Sequence, residues 1–219
     1  MRKLSQYLYY LNIVGMLLYI IICGGLLIAG HPWRSSQLGL IIQVASGLVL
    51  ASIPPLLTRW FHVQLPPLLV ALYEIFILMA ILLGTGMGMY SVPYWDKVEH
   101  AFSAAMLAGL GYMIFAALTP ADQREHVSPL LLSLFAVAFG TMVGVCWEFY
   151  EFTGDGLFGM NMQRYMSGGH LLAGRAALMD TMGDLCMDFV GSLFLGIVGY
   201  FGIRRDRHWL DTYMLQRIK

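Results

Sequence analysis

Eight carboxylates and a histidine recur at helical spacing in three stretches of this chain: Asp96, Glu99 and His100; Glu148, Glu151 and Asp155; Asp180, Asp184 and Asp188. Residues three and four apart share one face of a helix, so each stretch presents its acidic groups together. The stripe from Asp180 to Asp188 reaches roughly 12 Å along a helix axis at a rise of ~1.5 Å per residue. Like charges at such density do not all stay ionised in a low dielectric; they take up protons, pair with cations or face water. Lys97, Arg164 and Arg175 are too few to neutralise eight carboxylates, and a divalent metal answers the shortfall. Oxygen-rich ligands suit Mg²⁺, Mn²⁺ or Ca²⁺, while His100 keeps Zn²⁺ or Fe²⁺ open. On this reading Asp96, Glu148, Asp184 and Asp188 are the metal ligands and His100 or Glu151 is the acid–base group. Arg164 and Arg175 would hold an anionic substrate, and Glu99, Asp155 and Asp180 are further members of the site.

A structural explanation competes residue by residue. Asp96, Asp155 and Asp180 fall near helix ends, where a carboxylate caps free N–H groups or complements the helix dipole. His100, Glu148, Glu151, Asp184 and Asp188 lie deeper, where the plain alternative is an interhelical hydrogen-bond network. Glu74 stands apart beside Tyr73, inside an apolar run. An isolated intramembrane carboxylate is a functional candidate by default, and a protonated Glu74 bonded to a neighbouring helix is the other reading.

The elements that position these groups are membrane helices. Hydrophobic residues make up 58% of the chain, charged residues 12%, and mean hydropathy is +0.68, outside the range of ordinary soluble domains. Against the ~20 residues needed to cross a bilayer, the apolar runs predict an all-α bundle of about six spans. They lie near residues 8–29, 38–57, 67–88, 98–118, 129–149 and 178–203, in one membrane domain covering residues 1–219. Pro54-Pro55 closes the second span, Pro66-Pro67 opens the third and Pro120 closes the fourth, positions that tolerate a missing N–H. The first span is too long for a signal-peptide core and lacks an A-x-A site, so it reads as an uncleaved anchor.

Arg2, Lys3, Arg59, Arg124 and the tail residues Arg204, Arg205, Arg207, Arg217 and Lys219 fall on one side of these spans; Arg34, Lys97, Arg164 and Arg175 fall on the other. Positive charge is retained in the cytoplasm, which predicts that both termini are cytoplasmic and that all three acidic stretches gather at the outer face. The glycine-interrupted segment 153–177 is then an outer loop, either a lid over the acidic site or an ordinary surface connection. Gly140 and Gly144 form a small-xxx-small pair suited to close packing inside the bundle. Cys23, Cys146 and Cys186 lie within spans and say nothing of redox compartment.

The string from Trp95 to Phe102, containing Asp96, Lys97 and His100, resembles the D-K-x-x-H-F opening of the VanZ-like membrane family. Glu148 to Glu151 is similar to that family's E-x-x-Q, and Asp184 to Asp188 followed by Gly191 to its D-x-x-x-N-x-x-G, with Glu151 and Asp188 as more acidic departures. A closer resemblance is to the uncharacterised YjdF-like inner-membrane family. It runs through Tyr73-Glu74, Trp95-Asp96 with His100, Trp147 to Phe152, Gly159 to Gln163, and Asp180 to Asp184, covering roughly residues 70–200. It implies a bacterial cytoplasmic-membrane protein and supplies no reaction.

Three functions follow as expectations. One is metal-assisted hydrolysis or transfer on a lipid-linked or envelope phosphate, with metal ions polarising the phosphoryl group. Another is a non-catalytic envelope factor whose acidic site is structural or binds a partner. The third is a cation- or proton-coupled transporter, against which the acidic groups stop at one face. Membrane lipid is the expected surrounding, and no nucleic-acid partner is expected.

Overall fold

The computed structural model describes residues 1–124 and 126–217; Lys219 of the basic tail lies outside them. Among the described residues six helices are long and apolar enough to cross a membrane: Arg2–Ile28, Gln37–Phe61, Pro67–Gly86, Trp95–Leu118, Pro129–Phe158 and Arg175–Arg205. The polytopic all-α architecture expected from hydropathy is thus present. Ile21, Phe149, Phe194 and Phe201 are more than half exposed, as suits side chains solvated by lipid and not by water. Within the chain two compact units can be distinguished, Met1–Trp95 with Thr212–Lys219, and Asp96–Asp211.

The first unit contains α1 (Arg2–Ile28), α2 (Gln37–Ala51), α3 (Ile53–Phe61), the short strand β1 (Val63–Gln64) and α4 (Pro67–Ile77). Pro54 and Pro55 do not close the second span. They occupy the first turn of α3, where their missing N–H groups have no helical acceptor to lose, and the apolar run continues to Phe61. Pro67 opens α4 as expected. Beyond Ile77 the helix widens into a π-helical segment, Leu78–Gly86. Met16, Tyr19, Cys23, Val44, Ala51, Ile77 and Leu82 form the core of this unit.

The second unit is built on α5 (Trp95–Leu118), α7 (Pro129–Phe158) and α8 (Arg175–Arg205), with the single turn α6 (Ala121–Arg124) after Pro120. The Gly140/Gly144 pair packs inside the bundle. A side chain at Gly144 would run into the carboxyl of Asp188, and one at Gly191 would run into the backbone carbonyl of Ala101. Small residues therefore let α8 press its polar groups against α7 and α5. Ser192 Oγ donates to the Ala104 carbonyl at 3.3 Å, and Tyr112 on α5 reaches Ser133 on α7 (2.7 Å) and the Gly196 carbonyl on α8 (3.3 Å).

α7 is longer than its apolar run. It was expected to end near residue 149, yet it continues to Phe158 because Glu148, Glu151 and Asp155 lie on its buried face, and Gly159 at φ 62° then ends it. At ~1.5 Å per residue its length of roughly 45 Å exceeds a ~30 Å hydrocarbon core. The connection expected over 153–177 accordingly shrinks to residues 159–174. It contains the hairpin β2 (Met166–Ser167) and β3 (His170–Leu171), turned by Gly168 and Gly169 at φ 57° and 81°, a pair of positive values that two-residue hairpins favour.

Candidate functional site

Asp96, Lys97, Glu99 and His100 occupy the first turns of α5, and Asp180, Asp184 and Asp188 stand at successive i, i+4 positions on α8. The close approach of these two helices turns two acidic stripes into one cluster. Lys97 Nζ lies 2.7 Å from both Asp180 Oδ1 and Asp184 Oδ1, 3.5 Å from Asp96 Oδ2, and donates to the Asp180 carbonyl at 3.2 Å. One ammonium thus serves three carboxylates. Its four-carbon stem crosses toward α8 past Gly183, where a Cβ would crowd it.

His100 is held from both sides. Its Nδ1 meets Asp188 Oδ1 at 3.1 Å, while Nε2 faces Asp184 Oδ1 at 3.6 Å and Asp96 Oδ1 at 3.9 Å. A carboxylate oxygen only accepts, so Nδ1 carries a proton and donates it to Asp188. Nε2 then faces two carboxyl oxygens, an arrangement that a proton shared with one of them or a positive charge on or beside that nitrogen would satisfy. One ligand atom from each of Asp96, His100 and Asp184 falls within 4.8 Å of the others, the spread of a metal's coordination shell. Asp184 and Asp188 are each 1% exposed, and their Oδ2 atoms have no hydrogen-bond partner among the described residues.

α7 and the connection after it supply the other wall. The Asp155 carboxylate accepts the backbone N–H groups of Met162 (2.7 Å) and Gln163 (3.0 Å), which folds the segment back over the end of α7. Gln163 Nε2 then donates to Glu148 Oε2 at 3.2 Å and to Thr181 Oγ1 at 2.9 Å. Asn161 braces the same turn through both its amide atoms to the backbone of Met166. Arg164, at φ 48°, extends to Asp96 Oδ2 at 3.4 Å and Asp180 Oδ1 at 3.7 Å. These contacts tie the connection to the acidic groups at both helices. Glu151 accepts from Trp147 Nε1 at 2.9 Å, and Glu148 Oε1 has no partner among the described residues.

A family model described as a predicted membrane protein, DUF2238, matches residues 13–205, a stretch that takes in the acidic helices and the braced connection. The chain belongs to the DUF2238 family. That family is an uncharacterised membrane family, which is how much of the resemblance read from sequence the match supports. No curated protein and no solved structure matches the chain.

In this DUF2238 protein the residues selected from sequence divide into groups. Asp96, His100, Asp180, Asp184 and Asp188 come together with Lys97 and Arg164. Glu148 joins through Gln163, Glu151 bonds within its own helix, and Glu99 is buried on α5 at 3% exposure. Asp155 serves backbone N–H groups, in keeping with its structural explanation. Arg175 is exposed at the first residue of α8, with no contact to the cluster among the described residues. Glu74 belongs to the first unit. The spacing of charged residues does not single out Thr181, and it marks Gly144 only as a packing residue, not as the seat of the Asp188 carboxyl. A charge count treats Lys97 as one of three cations too few for eight carboxylates, where its contacts make it the centre of the α5–α8 seam; its place between Asp96 and His100 is the available signal.

Proposed function

We propose that Asp96, His100 and Asp184 bind a divalent cation, and that the protein uses it in hydrolysis or transfer at a phosphate of a lipid-linked or envelope substrate. The observation that carries this reading is the two-sided setting of His100. A histidine that ligates a metal through one nitrogen commonly donates the other N–H to a carboxylate, which fixes ring and tautomer; Asp188 stands in that relation to Nδ1, leaving Nε2 toward Asp96 and Asp184. One imidazole and two carboxylates suit Zn²⁺ or Mn²⁺ better than Ca²⁺, and three protein ligands leave positions for water and substrate. The ion would supply Lewis acidity and an activated water. Arg164, with 41% of its side chain exposed, is the cation placed to exchange Asp96 and Asp180 for a substrate phosphate. Glu151 is the candidate to take the proton of the attacking water as the bond from phosphorus to the leaving group breaks. On this reading Asp188 orients His100, and His100 is a ligand in place of the acid–base group.

The YjdF-like and VanZ-like resemblances, together with the Lys and Arg distribution, support a bacterial inner-membrane location with both termini cytoplasmic and the site at the outer face. Ser91→Cys and Ser167→Cys, in a background without the native cysteines, are then labelled from outside intact cells; labelling only after permeabilisation reverses the orientation.

A second reading has its own support. Lys97 lies 2.7 Å from the same Asp184 oxygen that a metal would use, so a protonated His100 with Lys97 and Arg164 could neutralise the carboxylates without an ion, as in a non-catalytic factor. Metal analysis and titration calorimetry on chelator-washed protein separate the two. The metal reading expects near-stoichiometric Zn²⁺ or Mn²⁺ that His100→Ala and Asp184→Asn release, and tighter binding in Lys97→Met. Absence of ion binding in folded wild-type protein removes the metal reading and with it the enzyme.

A further inference from the structure

Glu74, on α4 in the first unit, is 0% exposed, and so is Asn12 of α1. The Asn12 Nδ2 group donates to Glu74 Oε2 at 2.8 Å and to the Glu74 backbone carbonyl at 2.8 Å. Glu74 Oε1 and Asn12 Oδ1 are both buried and both lack a hydrogen-bond partner among the described residues. Two acceptor oxygens therefore remain at one amide–carboxyl pair with no donor between them.

The surroundings offer no counter-charge. α4 packs against α1, α2 and the π-helical segment; α2 and the π-helical segment contain no charged or titratable residue. α1 has Arg2, Lys3, Tyr7, Tyr9 and Tyr10 toward its start, with Tyr19 and Cys23 beyond Asn12. Arg2 is directed to Gln64, and Gln37 donates to the Tyr19 hydroxyl. On α4 itself Tyr73 gives its hydroxyl to the Leu50 carbonyl at 2.8 Å. No cation pairs with Glu74 among the described residues.

From this we infer that Glu74 and Asn12 form a proton-binding site within the membrane-spanning part of the first unit. A carboxylic acid supplies the missing donor: its O–H on Oε1 answers an acceptor such as Asn12 Oδ1, while Oε2 keeps the amide N–H already in place. Burial of a lone carboxylate without a cation is strongly unfavourable, and protonation removes the charge. The π-helical segment beginning four residues after Glu74 adds a feature often found at functional sites, since its wider turn leaves helical hydrogen bonds free to shift register. The site is separate from the acidic cluster and does not depend on the metal reading.

Infrared spectra of the full chain in detergent, recorded from acid to alkaline pH, test this. The expected result is a protonated-carboxyl C=O band that Glu74→Gln removes near neutral pH, with Glu74→Asp keeping a shifted band. Gln matches the acid form in shape, so the variant should keep its thermal midpoint. Wild-type protein gives a second reading that needs no variant: a hydrophobic carbodiimide adduct mapped to Glu74 by mass spectrometry, declining as pH rises. Identical acid bands in wild type and Glu74→Gln at every pH, or labelling of other carboxyls with none at Glu74, overturn the inference. So does a thermal stabilisation by Na⁺ or K⁺ that Glu74→Gln abolishes, which would assign the site to a metal cation.

Discussion

Glu74 in the first unit and Asp184 in the second are almost equally hidden, at 0% and 1% exposure, yet they are held in opposite ways. Glu74 meets a neutral amide that also donates to its backbone carbonyl; Asp184 meets the Lys97 ammonium at 2.7 Å and the His100 ring at 3.6 Å. A carboxyl among neutral partners is accommodated by becoming neutral, whereas one among cations has neighbours that favour its charged form and depend on it. The same residue type at the same depth thus gives a replaceable group in one unit and a linked set in the other.

The largest test of this contrast is Lys97→Met. Removing one partner of a buried ion pair typically costs about 3 to 5 kcal/mol, and here the ammonium faces Asp96, Asp180 and Asp184 together. Chelator-washed Lys97→Met should lose about 3 kcal/mol in denaturation, and Asp184→Asn in the same chain should restore part of that loss, because partners in one network are not additive. A neutral Lys97→Met would erase the difference between the units.

Gly144→Ala comes next. Its added methyl meets the Asp188 carboxyl, and overpacking of this kind costs about 1 to 3 kcal/mol. Since Asp188 fixes the His100 ring, the variant should also weaken Zn²⁺ or Mn²⁺ binding beyond what its stability loss accounts for. Calorimetry beside thermal unfolding reads both; unaltered ion binding would mean that Asp188 does not orient the ligand.

How much of this was legible beforehand depends on the kind of interaction. Hydropathy located six spans, since about 20 apolar residues are a signal that local composition carries by itself. Spacing selected the α5 and α8 carboxylates for the same reason. Helix ends were less legible: Pro54-Pro55 reads as a stop or as a first turn, and only the packing of α3 decides. The extension of α7 through Asp155 was present in the 148, 151, 155 stripe but was hidden by the drop in hydropathy. The reach of Lys97 to three carboxylates and the fit of Asp188 against Gly144 are distances between elements, which no charge count contains. Asn12 was overlooked as one polar residue in a long apolar run, although such a residue in a span is itself a signal of interhelical bonding.

In the first unit the contrast predicts an inverted order of effects. Asn12→Leu removes the donor from Glu74 Oε2 and leaves that buried acceptor unpaired at about 1 to 3 kcal/mol, while the Glu74 carbonyl keeps the Leu78 N–H. Glu74→Gln, which alters the carboxyl itself, should stay within about 0.5 kcal/mol of wild type, the range of a substitution that disturbs no packing or charge pair. Denaturation of the two variants side by side checks the order. If Glu74→Gln proves the more damaging, Glu74 is ionised and a cation has to accompany it.

The smallest expected effect on stability belongs to Arg164→Gln. Arg164 approaches Asp96 at 3.4 Å and Asp180 at 3.7 Å with 41% of its side chain exposed, and ion pairs reaching solvent contribute about 0 to 1 kcal/mol. Lys97 already serves both carboxylates, so losing Arg164 should shift unfolding by less than about 0.5 kcal/mol. Its value would lie elsewhere, because a guanidinium on a braced turn can leave two shared carboxylates for a phosphate without unmaking the seam beneath it. Binding of inorganic phosphate to metal-loaded protein should therefore weaken in Arg164→Gln while ion affinity and thermal midpoint hold. A variant that loses stability in step with phosphate binding would make Arg164 part of the scaffold, and the braced connection would be a lock on the acidic helices with no role in receiving substrate.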